Sequence, residues 1–333
     1  MADGEPFGEL SEVRKALRAA ASASMYAPSI LNTQPWRWRL HGASLELSRD
    51  PDRTLNAIDR TGAMTLISCG AALHHAGVTL AARGYSLAVD RQPAAAPGPL
   101  LAIVTVTGSA PVSSLDVEMA QAIRHRHSDR RPIVADNRAS DNEIAALEAA
   151  AVREECALFR IGDAERPHLG AAVDEAQHAE QGDPAYRREL VAWTVRRPHG
   201  GGVSFESLVA PTPRPVAVRD FAAGGETGLF PGFGDDRFAD YLVLATPRDT
   251  AGDRLRAGEG TSAVWLTATA RGLAMSVLSD VVEVPATRQL IASLLADRAQ
   301  PQLVLRTGPQ GQPVPPPPAA HRDLAEVLDE DPL

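Results

Sequence analysis

The sequence predicts an α+β fold built as two related halves, and three observations carry that expectation. Stretches with apolar residues at helical spacing alternate with short apolar runs of strand length. Two segments recur in the same order: Thr79-Leu80-Ala81-Ala82-Arg83-Gly84 returns as Thr267-Ala268-Thr269-Ala270-Arg271-Gly272, and Ile103-Val104-Thr105-Val106-Thr107-Gly108 as Leu303-Val304-Leu305-Arg306-Thr307-Gly308. Each copy ends at a helix or strand stop, as a repeated structural unit would. With 333 residues, 44% of them apolar, the chain can bury one large core or two ordinary ones.

In the first half, Val13, Leu17 and Ala20 place one apolar face on a helix over Leu10–Met25, which Pro28 ends. Trp36–Leu40 and Ser44–Leu47 alternate as a hairpin turning at His41-Gly42. A helix over Thr61–Arg83 stops at Gly84, a strand over Tyr85–Val89 follows, RQPAAAPGP connects, and LLAIVTVT is the next strand. The second series opens near Leu115 with a helix over 115–125, then a helix to Glu155 capped by Asp141, the strand ALFRI, and helices over 165–180 and 184–195. Residues 196–240, rich in Gly and Pro, read as an irregular arm or lid. Beyond it come YLVLAT, a helix over 258–273, a strand at 275–278, a helix over 285–296, the strand PQLVLRTG, a proline run at 313–318 and a last helix from Ala320. The expected division is 1–112 and 113–333.

Composition narrows function. A net charge of −9 disfavours broad nucleic-acid binding, and the basic cluster at 124–131 lacks interleaved aromatics. Cys69 and Cys156 form no CxxC unit and read as buried thiols in a reducing compartment. The start, MADGEPFGELSEVRK, lacks the basic-then-apolar order of a signal peptide. The most apolar stretch is broken by His74, His75 and Arg83, so it reads as a core helix rather than a membrane span. The expectation is a cytoplasmic protein without membrane contact. Lysine occurs only at Lys15, so there is no GxxxxGK[ST] phosphate loop; HExxH, zinc-type cysteine arrays and GxSxG are also absent. Gly258-Glu259-Gly260-Thr261-Ser262-Ala263 spells GxGxxA, but a polar loop separates it from the preceding strand, and it reads as a helix start.

Two segments carry chemistry. In Ala27-Pro28-Ser29-Ile30-Leu31-Asn32-Thr33-Gln34-Pro35-Trp36, prolines stiffen a loop in which Ser29, Asn32 and Gln34 offer a hydroxyl and two amides. That set suits the edge of a heteroaromatic ring with carbonyls and ring nitrogens; a loop capping its own backbone would use the same residues. In Arg126-His127-Ser128-Asp129-Arg130, alternate positions on an extended chain point Arg126, Ser128 and Arg130 one way, a clamp for phosphate or polyol. A solvated basic turn paired with acids is the other reading. Arg322 is a further candidate cation.

APSILNTQPW, with RHSDR and the ARGL elements, resembles the nitroreductase family of flavoproteins, and the tandem arrangement is similar to its double-length, Acg-like FMN-binding branch. The resemblance spans roughly residues 10–328. It implies two halves, each a mostly antiparallel sheet flanked by helices, closing as an intrachain pseudo-dimer. It implies FMN as cofactor, with Arg126, Ser128, Arg130 and Arg322 at its phosphate and polyol, and Pro28, Ser29, Asn32 and Gln34 at its ring and ribityl chain. Each motif occurs once, on opposite halves, which implies one composite site per chain. The implied activity passes hydride from NAD(P)H through FMN to a nitroaromatic, quinone or similar acceptor; the alternative is an FMN storage or redox-sensing protein. Leu273–Asp280 lacks the glycines that the family carries beside the reactive ring edge. No catalytic acid or base and no metal is expected, and His74, His75, His125, His127 and His199 are the candidate imidazoles. The functional unit is expected to be a monomer or a dimer of pseudo-dimers.

Overall fold

Alternation along the first strands sets the first core. In β1 (Trp36–His41) the residues Trp36, Trp38 and Leu40 turn inward, and the chain reverses through Gly42 and Ala43 into β2 (Ser44–Arg49). Gly42 takes φ +54°, a conformation favoured by a residue without Cβ. The computed structural model describes residues 5–92, 99–195, 199–222, 224–312 and 314–332. The connection expected over 91–99, the start of the 196–240 arm and Pro313 thus lie partly or wholly outside the described residues.

Helix α1 (Glu5–Ser24) precedes β1; α2 (Ala63–Ala81), β3 (Tyr85–Arg91) and β4 (Leu100–Ser109) complete the first half. The second contains α3 (Ser114–His125), α4 (Asp141–Arg153), β5 (Ala157–Arg160), α5 (Arg166–Gly182), α6 (Pro184–Thr194), β6 (Asp240–Thr246), α7 (Ala251–Ala270), β7 (Leu273–Leu278), α8 (Asp280–Glu283), α9 (Pro285–Leu294) and β8 (Gln300–Pro309). The chain ends in α10 (Leu324–Val327) and β9 (Leu328–Glu330). One sheet runs β3-β4-β2-β1-β9 and the other β5-β6-β8-β7. Read from opposite ends, β3-β4-β2-β1 and β7-β8-β6-β5 have the same order, and every pairing within those runs is antiparallel.

The structure corrects several element readings. Helix α7 starts at Ala251, capped by Thr250 and Asp253, so Gly258–Ala263 lies mid-helix rather than at a start. Ser140, not Asp141, caps α4: its hydroxyl accepts from the Glu143 amide while the Glu143 carboxylate accepts from Ser140. The last helix is a single turn beginning at Leu324. Beyond it β9 joins β1 in parallel, so the first sheet is mixed and includes residues from the C-terminus. The boundary expected at 112 falls between β4 and α3, but sheet membership does not follow it.

The repeat explains how the halves meet. Ala63 and Ala251 open α2 and α7, and Tyr85 and Leu273 open the following strands at the same spacing. At that spacing Ile67 and Gly70 correspond to Leu255 and Gly258. A Cβ on Gly70 would lie 1.9 Å from the Leu255 carbonyl oxygen, and one on Gly258 would lie 1.9 Å from that of Ile67. The two helices therefore touch backbone to backbone about a pseudo-twofold axis. Side chains exchange across it: Met64 and Ile67 pack in the second half's core, while Leu255 packs in the first half's. Helix α2 is long and apolar enough to cross a membrane, yet it is largely buried against its counterpart.

This contact gives a stability prediction. Gly258→Ala, with no space for its methyl group, should cost about 3 kcal/mol in urea denaturation. Gly77→Ala on α2 meets nothing within 4 Å and should be neutral or stabilising by up to about 1 kcal/mol. Equal effects at the two positions would contradict the close crossing.

Candidate functional site

The loop between α1 and β1 is held in an unusual shape. Leu31, Asn32 and Gln34 take φ of 45°, 53° and 49°, each costing on the order of 1 kcal/mol for a residue with a Cβ. Polar bonds over-determine that shape. Ser29 Oγ accepts from the Gln34 amide at 3.0 Å, and Ser68 Oγ on α2 accepts from the Ile30 amide at 3.1 Å. Asn32 Nδ2 donates to the carbonyls of Gly202 at 3.2 Å and Ala320 at 2.9 Å. Gln34 Nε2 donates to Gly200 O at 2.6 Å, while its Oε1 accepts from the Arg322 amide at 3.1 Å. Glycines let the arm approach this closely: a Cβ on Gly200 would lie 2.7 Å from the His321 carbonyl oxygen.

These bonds correct two of the expected assignments. Gln34 and Arg322 are buried and do not line the cavity described below. Arg322 Nη1 donates to the carbonyls of Gln34 at 3.1 Å and Trp36 at 3.2 Å, and its Nη2 pairs with Asp50 at 3.1 Å. Both side chains tie the loop to the C-terminal segment. Sequence spacing could not show this, because the bonds join residues almost 300 positions apart.

The other six candidates, Pro28, Ser29, Asn32, Arg126, Ser128 and Arg130, line one cavity of about 760 Å³ between the halves. That volume lies within the roughly 300–1,000 Å³ of small-molecule and cofactor pockets. Helix α2 contributes Ile67, Ser68 and Ala71, α7 contributes Thr261 and Trp265, and β7 forms another wall. The segment after α3 runs extended beside β7, with the Asp129 amide donating to Met275 O at 3.0 Å. Alternation then works as expected. Arg126, Ser128 and Arg130 face the cavity, whereas Asp129 and Arg131 are buried as a bidentate pair at 2.9 and 2.7 Å.

Arg306 on β8 fixes this segment. Fully buried, it donates to both Asp236 oxygens at 2.8 Å, to the carbonyls of Asp129 and Arg131 at 2.8 Å, and to Ser276 Oγ at 3.0 Å. All five of its N–H donors are thereby used. Sequence reasoning missed Arg306, although the repeat offered a signal: its counterpart in the other half is the apolar Val106. Tyr26, Trp265, Phe221 and Arg219 were also missed, since single residues outside a motif carry no spacing signal.

The cavity's electrostatics are one-sided. Four arginines line it (Arg124, Arg126, Arg130 and Arg219), and among the described residues no Asp or Glu does. Arg219, on the arm, is neutralised by Glu180 at 3.2 Å and Glu283 at 2.8 Å. Arg126 and Arg130 have no carboxylate partner among the described residues. Arg126 donates to Tyr26 O at 3.3 and 3.1 Å and lies 4.7 Å from the Trp265 ring centre, and its Nη1 is buried with no partner. Arg130 lies 4.4 Å over Phe221. Burial pushes both guanidinium pKa values down to about 10, which leaves both charged at neutral pH. The ring faces stabilise the cations by about 0.5–2 kcal/mol and leave Arg126 Nη1 and the N–H donors of Arg130 for a ligand. Two half-buried cations with donors to spare beside a hydroxyl make a receptor for a phosphate-like anion.

The candidate histidines divide. His125 and His127 line the cavity. His74 and His75 do not: His74 Nδ1 lies 2.8 Å from Ser262 Oγ, and burial lowers its pKa to about 4 and that of His75 well below the usual value. They are neutral packing groups at the α2–α7 seam. His199 is exposed on the arm. The 199–240 arm, apart from one turn at Phe205–Ser207 and a bridge between Val209 and Leu229, has no regular structure among its described residues. It walls the cavity with Gly202, Val203, Ser204, Ser207, Arg219 and Phe221.

Comparison with known proteins follows the same lines. No family model matches the chain. It is 35% identical over 323 residues to Rv3131 of Mycobacterium tuberculosis, covering 94% of this chain and 91% of that protein. It is 34% identical over 315 residues to acg of the same organism, covering 94% and 95%. Both relatives carry the name of an NAD(P)H nitroreductase. A nitroreductase structure with bound FMN from Desulfitobacterium hafniense aligns at a TM-score of 0.37 and 16% identity, over 60% of this chain and 93% of that one. At that score the kinship rests on the full-length sequence relatives instead.

The loop anchor is testable. Arg322→Ala leaves Asp50, 1% exposed, with Arg37 at 3.2 Å as its one remaining ion-pair partner among the described residues, and should cost about 3 kcal/mol in denaturant unfolding. Asp50→Asn in that background should recover part of the loss. A cost below about 0.5 kcal/mol, the usual effect of a surface change, would show that Arg322 does not anchor the loop.

Proposed function

The chain belongs to the nitroreductase family, in its double-length, Acg-like branch, and from that premise we propose that it is an FMN-dependent oxidoreductase using NAD(P)H. The observation that carries the proposal is the pair of half-buried cations Arg126 and Arg130, without a carboxylate partner among the described residues, beside Ser128 and in the same cavity as the Pro28–Asn32 loop. The residues fit the group: an orphaned Arg126 Nη1 suits a phosphate, and mixed polar and apolar walls suit a heteroaromatic ring.

When bound, FMN supplies two-electron redox chemistry, accepting hydride from NAD(P)H and passing it to a nitroaromatic, quinone or similar acceptor. The chain's own residues bind and orient. Arg126, Ser128 and Arg130 would hold the anionic end, and the half-buried Arg126 and Arg130 act there with less solvent screening than surface charges. Pro28, Ser29 and Asn32 line the same cavity from the first half. Asn32 commits both amide hydrogens to backbone carbonyls, which leaves its Oδ1 as the acceptor for a ring or ribityl donor. Gln34 and Arg322 keep that loop in shape. No side chain is assigned as acid or base.

A storage or redox-sensing role is the second reading, and the arm favours it. Arg219, buried between Glu180 and Glu283, pins the arm against the cavity, and Phe221 sits beneath Arg130. Mixing the FMN-loaded chain with NADH or NADPH in a stopped-flow instrument separates the two readings. Bleaching of the flavin band within seconds is expected for the reductase; an unchanged oxidised spectrum supports storage. Arg126→Ala combined with Arg130→Ala should weaken FMN binding by roughly 2–5 kcal/mol in a fluorescence titration. Unchanged affinity would remove both arginines from the site.

A further inference from the structure

We propose that Arg124, His125 and His127 form a rim that selects a dinucleotide bearing a 2′-phosphate on its adenosine, making NADPH rather than NADH the reductant. The proposal deepens the oxidoreductase reading and rests on it for the reaction, though not for the binding.

Elimination within the basic cluster motivates it. Arg126, Ser128 and Arg130 face the inner cavity, and Asp129 and Arg131 satisfy each other. Arg124, His125 and His127 remain, and all three also line the cavity. None of the three has a carboxylate partner among the described residues. Arg124 and His125 are exposed, whereas Arg126, His127 and Arg130 are half-buried, which places Arg124 and His125 at the mouth with His127 next to them in the chain. A cofactor phosphate satisfied by the inner cations leaves this outer group for a second anion.

The geometry suits a phosphate beside a purine. The Arg124 guanidinium lies 4.9 Å from the Tyr26 ring centre, and its Nη1 donates to the Tyr26 hydroxyl at 3.0 Å. Tyr26 is backed by the His321 ring, whose centre lies 4.5 Å away at a tilt of 48°. An arginine held at one nitrogen in this way keeps its remaining N–H donors for phosphate oxygens and can stack on an aromatic base. His125 Nδ1 lies 2.9 Å from Gln121 O and His127 Nδ1 lies 2.9 Å from His125 O. A carbonyl only accepts, so each Nδ1 donates, and these bonds hold both rings in orientation. Adenosine with a free 2′-hydroxyl offers the Arg124 cation nothing comparable.

The test uses the full chain loaded with FMN and titrated calorimetrically with the unreactive NADP⁺ and NAD⁺, alongside 2′,5′-ADP. NADP⁺ should bind about tenfold tighter than NAD⁺ or more, and 2′,5′-ADP should compete with it. Arg124→Gln with His127→Gln should bring NADP⁺ down to the affinity of NAD⁺. Equal affinities in the unaltered chain overturn the proposal. So does a loss of FMN affinity in the variant with the NADP⁺ preference retained, since the rim would then serve the cofactor's phosphate. If the chain takes up no FMN, the oxidoreductase reading fails separately. The same titrations on the cofactor-free chain then decide the rim: a surviving NADP⁺ preference supports it, and equal affinities or no binding refute it.

Discussion

The backbone contact between α2 and α7 is the constraint on which the rest of the molecule depends. Gly70 and Gly258 let two long helices approach until each presents carbonyl oxygens where the other has no side chain. At that distance, residues from either half enter the other's core, and the halves cannot separate without exposing apolar surface from both. The cavity is a consequence of the crossing. Its walls include Ile67, Ser68 and Ala71 from one helix and Thr261 and Trp265 from the other, so neither half alone encloses it. The C-terminal segment adds a second tie by laying β9 beside β1 and placing Arg322 against the Gln34–Trp36 backbone.

Pseudo-symmetry makes the asymmetry of charge informative. At the repeat spacing, Ala71, which lines the cavity, corresponds to Glu259, and Trp265 corresponds to Gly77. Glu259 is buried in a bidentate pair with Arg91 at 2.8 and 2.7 Å, close to His74 and Glu154. The related position is thus filled by mutually satisfied charges, whereas the cavity holds Arg126 and Arg130, which have no carboxylate partner among the described residues. Two positions of common geometry have diverged into a closed ion pair and an anion receptor. Solvation decides their different consequences: a paired buried charge is quiet, and an unpaired one seeks a ligand.

Much of this was legible in the sequence because it lies in spacing. The repeated Thr-to-Gly and strand segments located both sheets, and alternation in Arg126–Arg130 assigned Arg126, Ser128 and Arg130 to one face. What spacing could not show was where long polar side chains turn once the chain is folded. Asn32 and Gln34 read equally as ring contacts or as backbone caps, and the structure uses their amide hydrogens as caps. Arg322 read as a phosphate ligand because it is a late cation, but Asp50 claims it. Gly258-Glu259-Gly260 read as a boundary because glycine usually marks one; here Gly258 serves close packing in mid-helix, a requirement set by another helix far away in sequence.

The central claim is that the second half's half-buried arginines hold the anionic tail of one mononucleotide whose ring rests against the first half's loop. Calorimetric comparison of FMN with riboflavin on the intact chain addresses it most directly, because the two ligands differ only in the phosphate. The account predicts that FMN binds tighter by about a hundredfold or more, as two charge-assisted contacts in a dry site would give. Equal affinities for the two ligands would contradict it.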